Sequence, residues 1–505
     1  MDNEKIFGKK TAKWGWLGGF KGDKIVLMVL LLLMMVSLIA ISGSTPLLAL
    51  QNKTTRMSVI GKHVIVTAIG MLLIFVIYNV PNSKWLERLS KLGFPVSLVM
   101  LLLLMCQVKF GNFLKAENIN GAYRTLGIMG QQIHVFEVVK VAMVMYLAWA
   151  CKAFRYDTFI LSKKISGITV LKNGEEKRPF AFMASKWGEV CFYILIPIVL
   201  VSGLVLYGGF SSGMFIMGIM ILTVLIGGVD FKYIIAMGCA CIVLVGCAFG
   251  IYKATDGKVF TRIGTAISRT SEKPTFDQLM ETRKSKGRNS KEYGDMLKKV
   301  QQPYSAKIAV HESGKRPKGI GGSTGKYVVP VMYGDFMFDY IVEETGIFGA
   351  IFIIILYLSL LARGSVIIRN CSDSYDRTVV GGLLLLITGQ ALFHMCINLD
   401  MGPLTGQTLP MISHGSSSYI CFSIAFGVIL AISKNAHEKT AEQEMEADIE
   451  HGRSVEETVS TSTASFGGYT PTAGESNIEE VENKGESNTE SPYTTSSSSS
   501  NTRYY

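Results

Sequence analysis

The chain has 505 residues, 49% of them hydrophobic, and a mean hydropathy of +0.33. That combination excludes an ordinary soluble globular protein and points to a polytopic membrane protein. The formal charge of +11 hides two opposed pieces, a basic loop at 253–335 and an acidic tail at 434–505.

Taken in chain order, ten apolar runs read as spanning helices, since about 20 residues at 1.5 Å rise cross a hydrocarbon core. They lie near 25–42, 63–80, 93–108, 135–151, 189–207, 209–228, 233–252, 338–362, 379–399 and 412–433. The fourth carries Glu137 and Lys140. The first run is followed by Pro46 and no Ala-x-Ala pattern, so it reads as an anchor rather than a cleaved signal. The domains that follow are a segment at 1–24, a membrane domain at 25–433 and a polar tail at 434–505.

Orientation follows from the short loops. Lys5, Lys9, Lys10, Lys13, Lys21 and Lys24 precede or open the first run, and loop 152–188 holds eight Lys or Arg. The loops at 208 and 400–411 hold none. Both termini are therefore expected in the cytoplasm, with 253–335 and 398–411 outside. None of the nine cysteines falls in an external segment, so they are expected to pack as small apolar residues without disulfides.

Loop 253–335 contains seventeen bases against eight acids, and the tail contains fourteen acids against five bases. The tail's Ser/Thr run and low apolar content read as disorder, either solvating or a tether for cytoplasmic partners. The basic loop suits anionic headgroups or a phosphate-bearing lipid substrate. Within it, Phe276, Leu279 and Met280 have helical spacing, which predicts an amphipathic helix in 274–302 lying on the membrane surface. Gly321-Gly-Ser-Thr-Gly325-Lys326 resembles a phosphate loop but lacks its pattern, because Ile320 and Tyr327 stand where Gly and Ser or Thr are needed.

Two segments concentrate polar, Gly and Pro residues at helix mouths: Lys326 to Phe336 and Asn398 to Ser418. Lipid excludes such backbone unless it is buried in protein or lines a cavity. Asp335 stands where the external loop enters the membrane, as a partly desolvated general base or as a helix N-cap. Glu343 and Glu344 lie deeper in the same helix, either functional or hydrogen-bonded across helices. Glu137 and Lys140, at i and i+3, can pair with each other. Arg124 ends the preceding external loop, where it can meet a phosphate. His134 and His394 have no partner at metal spacing and read as packing or hydrogen-bonding residues.

At these residues the chain resembles the SEDS family, the FtsW/RodA polymerases of bacterial peptidoglycan. The family's Asn-Gly-Ala-x-Arg-Trp segment is similar to Asn120-Gly-Ala-Tyr-Arg124-Thr125, and its Glu-Phe-Ala-Lys to Glu137 through Lys140. Its Tyr-Leu-Pro, Asp-Phe and Gly-Glu-Glu-x-Gly stretch resembles Tyr327 through Asp335-Phe336 to Glu343-Glu344-Thr-Gly346. Its last signature resembles Gln390-Ala391, Asn398, Thr405-Gly406, Pro410 and Ser413-His-Gly415-Ser-Ser-Ser. Thr125 departs from a Trp, Val331 from an acid or amide, His414 from a Tyr and Ser416 from a Gly. Phe20-Lys-Gly-Asp23 and the long tail look more like the FtsW division branch than the elongation branch.

The resemblance implies an all-α fold of ten spans with a large extracytoplasmic loop between the seventh and eighth, in the bacterial inner membrane. It implies a peptidoglycan glycosyltransferase that polymerises lipid II with inversion to β-1,4 linkages and releases undecaprenyl pyrophosphate. Asp335 would be the catalytic base, with Arg124, Lys326, Glu137, Lys140, Glu343, Thr405, Ser413, Ser416 and Ser417 binding substrate. Mg2+ or Mn2+ is the cofactor such chemistry admits, and no organic cofactor is expected. Lipid II, a class B penicillin-binding protein and other divisome proteins are the expected partners, and nucleic acid is not. The alternative is a lipid II flippase or polyprenyl-lipid transporter without bond chemistry.

Overall fold

A computed structural model describes residues 20–439 apart from 112–113, 120–121, 129, 160–168, 171–175, 178–184, 261, 265–275, 288–289, 294–295, 298–310, 312, 314–315, 330, 400 and 403–405. Residues 1–19, most of the acidic tail and Thr405 therefore lie outside the described residues.

The described chain is mostly helical. Its long helices are α1 (Lys24–Ser44), α3 (Arg56–Tyr78) after the short α2 (Pro46–Gln51), and α5 (Gly93–Met105) preceded by the short α4 (Ser83–Ser90). They continue with α6 (Val135–Arg155), α7 (Lys186–Gly208), α8 (Phe210–Ile226) and α9 (Phe231–Ala254). The loop helix α10 (Phe276–Lys286) precedes α11 (Met337–Asn370), α12 (Ser374–Asn398) and α13 (Ser416–Lys439). A helix occupies each of the ten segments expected from hydropathy. Seven are long and apolar enough to cross a membrane, and the α4–α5 pair makes eight if its 40° bend lies within one span. The remaining two candidates are α6, which carries Glu137, Lys140, Lys152 and Arg155, and α8, which has only 17 residues.

Burial sorts the helices. The spanning window of α13 is 83% buried and that of α3 only 17%, which puts α13 at the centre and α3 at the lipid-facing edge. One core joins α1, α11, α12 and α13, and a second joins α5, α6, α7 and α8. At the end where α1 begins, buried Asp23 ties three helices together. Its carboxylate caps α1 through the Ile25 and Val26 amides and pairs with Arg363 of α11, while its own amide donates to Ser433 Oγ of α13.

Pro197 explains a local irregularity in α7. It has no N–H to donate to the Tyr193 carbonyl one turn earlier. The helix widens into a π turn at Cys191–Leu195, and the Tyr146 hydroxyl donates to the Tyr193 oxygen at 3.0 Å.

Two segments differ from the sequence expectation. Residues 109–134, read as a plain loop, form a four-stranded antiparallel meander in the order β1 (Lys109–Phe110), β2 (Leu114–Ile119), β3 (Ala122–Ile128), β4 (Gln131–His134). Within the predicted amphipathic stretch 274–302 the structure forms α10, which stops before Gly287 at φ +80°, while residues 274–275, 288–289, 294–295 and 298–302 lie outside the described residues. Its Leu279 is buried against Tyr293, Met296 and Leu297 of its own loop, so that apolar contact is made within the protein.

Candidate active site

The fold joins the two polar segments singled out by the sequence. After the turn at 331–336, three consecutive carbonyls are held from the 398–414 side. The Tyr333 oxygen accepts the His414 amide at 2.9 Å, the Gly334 oxygen accepts Ser413 Oγ at 2.9 Å, and the Asp335 oxygen accepts Asn398 Nδ2 at 3.1 Å. Ser413 Oγ also accepts the Leu409 amide, and Tyr357 of α11 donates to the Pro410 carbonyl at 2.5 Å. Backbone that helices would leave unpaired is thus satisfied by the opposite segment.

That clamp fixes the start of α11. The helix N-cap is Phe336, without a side-chain cap bond, and Asp335 sits one position earlier. Asp335 is half-buried. Beside it runs Gly406, whose φ of +67° favours glycine, and a Cβ there would stand 3.5 Å from Asp335 Oδ2. Two non-glycine residues near the clamp, Val331 at φ +58° and Met411 at φ +61°, hold the same left-handed conformation. For β-branched Val331 this is strained backbone, located four residues from the carboxylate.

Glu343, eight residues further along, has the opposite environment. It is fully buried, and its carboxylate accepts from the Thr324 and Gly325 amides, Thr324 Oγ1, Ser323 Oγ and Lys318 Nζ. Glu344 accepts from the Gly321 amide and from Tyr340 Oη. The Gly321-to-Lys326 stretch is therefore an anion-binding nest, with the protein's own Glu343 as the anion. Lys326 is part of it: its Nζ donates to the Gly321 carbonyl at 2.5 Å, and its side chain is buried. These contacts run from helix to loop, not across helices. Gly346 at φ +69° then kinks α11, with Pro317 packed against the kink.

Glu137 and Lys140 pair at 2.7 Å, as their spacing predicts. The pair belongs to a larger network. Lys140 Nζ also donates to Gln390 Oε1 of α12 and to Gln407 Oε1, and Gln407 Nε2 donates to Ser212 Oγ of α8. Ser418 Oγ of α13 donates to Glu137 Oε2, so four helices meet at one ion pair. His394 bonds through Nδ1 to the Gln407 carbonyl, which makes it a hydrogen-bonding residue.

On the sheet side, Arg124 Nε donates to the Gly208 carbonyl at 3.1 Å. Ser417 is buried between the sheet and α13, donating to the Gln132 carbonyl and accepting the His134 amide. Ser416 opens α13 and is exposed. His414 packs edge-on against Tyr333, and burial holds its imidazole below the usual range, so it is neutral at pH 7. The structure thus gathers Asp335 and Ser413 into one clamp, places Glu343 and Lys326 in the nest, and puts Glu137 and Lys140 in the interhelical network.

Sequence reasoning missed Asp339, Gln407 and Ser212, and took Gln390 only as part of the last signature. Asp339 is one turn from both Asp335 and Glu343, is fully buried, and has no hydrogen bond to either oxygen among the described residues. Its i+4 spacing was the available signal. No three His, Cys, Asp or Glu side chains converge as metal ligands among the described residues.

The chain is similar to known proteins over nearly its whole membrane domain. The sequence model of the FtsW/RodA/SpoVE family, described as "Cell cycle protein", matches residues 23–438. The chain is 23% identical to the probable peptidoglycan glycosyltransferase FtsW of Thiomicrospira cyclica, covering 81% of this chain and 91% of that one. It is 24% identical to stage V sporulation protein E of Bacillus subtilis, covering 82% and 97%. A solved chain from a peptidoglycan synthase complex that coordinates polymerization and crosslinking superposes with a TM-score of 0.54 at 18% identity, over 82% of this chain and 98% of that one. The clamp at Asp335, the paired Glu137 and Lys140, and this match together place the chain in the SEDS family of FtsW, RodA and SpoVE.

Proposed function

We propose that the protein polymerises lipid II into glycan strands at the outer face of the bacterial inner membrane. The observation that carries this reading is the clamp, which fixes a half-buried carboxylate at the mouth of the bundle beside a glycine that leaves room for a substrate. Its relatives support the reading, since several are named peptidoglycan glycosyltransferases.

In this reading all ten helices span, both termini face the cytoplasm, and 253–335 and 398–411 lie outside. Asp335 accepts the proton of the acceptor sugar's 4-hydroxyl as that oxygen attacks the anomeric carbon. The carbon–oxygen bond to undecaprenyl pyrophosphate breaks in line, which inverts an α-linked donor to a β-1,4 product. The leaving group's charge needs cations, and Arg124 with the basic loop supplies them. Mg2+ or Mn2+ enters with the pyrophosphate. Exposed Ser416 and others of residues 402–418 shape the wall that meets the sugars, while Lys326 and Glu343 position the loop and Glu137, Lys140 and Ser417 hold the helices beneath. A class B penicillin-binding protein is the partner that crosslinks the product, and Phe20-Lys-Gly-Asp23 favours a septal role with other divisome proteins.

The Lys140 network favours a second reading, a lipid II flippase. Buried ionisable groups joining four helices are a common device of transporters. Proteoliposomes carrying lipid II, the transpeptidase and Mg2+ separate the two. Glycan ladders establish the polymerase, and lipid II crossing the bilayer without ladders establishes the transporter.

A further inference from the structure

The short helix α4 takes no part in the site above, and its residues sort into three faces around the helix axis. One face is buried: Leu86 lies in the core, and Ser90 Oγ shares a hydrogen bond with Tyr375 Oη of α12 at 2.6 Å. The next face is apolar and open. Trp85, Leu89 and Leu92, at i, i+4 and i+7, are each more than half exposed. The third face carries Lys84, Arg88 and Lys91 at helical spacing, all exposed. Lys91 and Leu92 follow α4 with backbone still in the right-handed helical region, so the faces continue through them. Arg88 packs over the Trp85 ring at 5.4 Å and Lys91 over that of Trp149 at 5.5 Å. None of the three cations has an ion pair among the described residues, because the one acid of α4, Glu87, pairs with Lys152 of α6 at 2.8 Å.

The open apolar stripe does not stop at α4. Val96, Val99 and Met105 of α5 are exposed as well, and α5 contains no charged residue. A stripe that is purely apolar along one helix and edged with cations on the next has the pattern of a passage from hydrocarbon to headgroups. This passage lies at the end of the bundle opposite Asp335, since Tyr375 stands at the start of α12 and Asn398, which holds Asp335, at its end. We propose that α4 lies in the membrane surface and binds anionic glycerophospholipid, with Trp85, Leu89 and Leu92 among the first acyl carbons and the phosphates on Lys84, Arg88 and Lys91. Three unpaired charges of one sign select an anionic over a zwitterionic headgroup. In the orientation proposed above this is the inner leaflet. The binding does not rest on the polymerase reading and survives its failure.

The test uses the full-length protein in phosphatidylcholine vesicles holding a minor fraction of phosphatidylglycerol, with one lipid or the other brominated on its acyl chains. Trp14→Phe, Trp16→Phe, Trp149→Phe and Trp187→Phe leave Trp85 as the sole indole, which bromine quenches on contact. Per molecule, phosphatidylglycerol is expected to quench roughly fivefold more than phosphatidylcholine, the worth of one lipid-facing cation. Lys84→Gln, Arg88→Gln and Lys91→Gln together should abolish that preference and keep the quenching by phosphatidylcholine. Lys24→Gln, Lys232→Gln and Arg369→Gln remove equal charge from exposed positions at the same end of the bundle and should keep the preference. Phosphatidylglycerol retained in native mass spectrometry, with all five tryptophans present, gives the same comparison if the Phe replacements unfold the protein. Quenching by neither lipid, as when another protein covers the stripe, overturns the proposal. Equal quenching by both lipids with α4 intact, or equal loss from the two triple variants, overturns it too.

Discussion

Two carboxylates eight residues apart, Asp335 just before α11 and Glu343 within it, sit in different environments. Glu343 is fully buried, and its donors come from one glycine-rich loop. Asp335 is half-buried and borders a glycine, and the bonds that locate it fall largely on its backbone. A carboxylate saturated with donors is stabilised as an anion and makes a poor base. The difference ties the order of the 318–325 loop to Glu343 and is consistent with the proposed role of Asp335 as the base.

Substitutions sharpen that contrast in descending order of effect. Asp335→Asn should cut lipid II polymerisation by roughly 10²- to 10⁴-fold, the usual worth of a general base, with the thermal unfolding midpoint unchanged. Glu343→Gln should destabilise the protein by about 3 kcal/mol or more, because buried donors lose a charged acceptor. Its signature is faster proteolysis within 316–329, read by mass spectrometry. Gly406→Ala should cost about 1–2 kcal/mol of backbone strain, read as a lower unfolding midpoint, while its methyl stands in ordinary contact with Asp335 Oδ2 at 3.5 Å. Asp339→Asn should change stability by less than about 1 kcal/mol, because no hydrogen bond to its oxygens is lost among the described residues. Val331→Asn should stabilise by about 1 kcal/mol in thermal unfolding, because Asn tolerates the left-handed conformation that Val holds under strain.

Much of this was legible in the sequence. Apolar runs located the helices, because hydrocarbon thickness imposes a length that composition reveals. Spacing alone gave the Glu137–Lys140 pair. The two polar segments announced themselves as backbone that lipid rejects, although their register, carbonyl by carbonyl, is a tertiary fact. The Gly321-to-Lys326 stretch fails the phosphate-loop pattern, yet its amides do hold an anion. Its anion is Glu343, a residue of another element, and sequence cannot choose that partner. Gln390 and Gln407 carry no local pattern beyond being polar near apolar helices, so their convergence on Lys140 had no signal of its own. The sheet at 109–134 stayed hidden because its strands are short and, among the described side chains, Ala116 and Leu126 are the fully buried apolar ones.

The division of labour between the two carboxylates is tested most directly by measuring unfolding midpoint and lipid II polymerisation together on purified Asp335→Asn and Glu343→Gln, each with its transpeptidase. The account predicts a fully stable, inactive Asp335→Asn protein beside a Glu343→Gln protein that is destabilised, with activity recovering on cooling. Near wild-type glycan ladders from Asp335→Asn would contradict it.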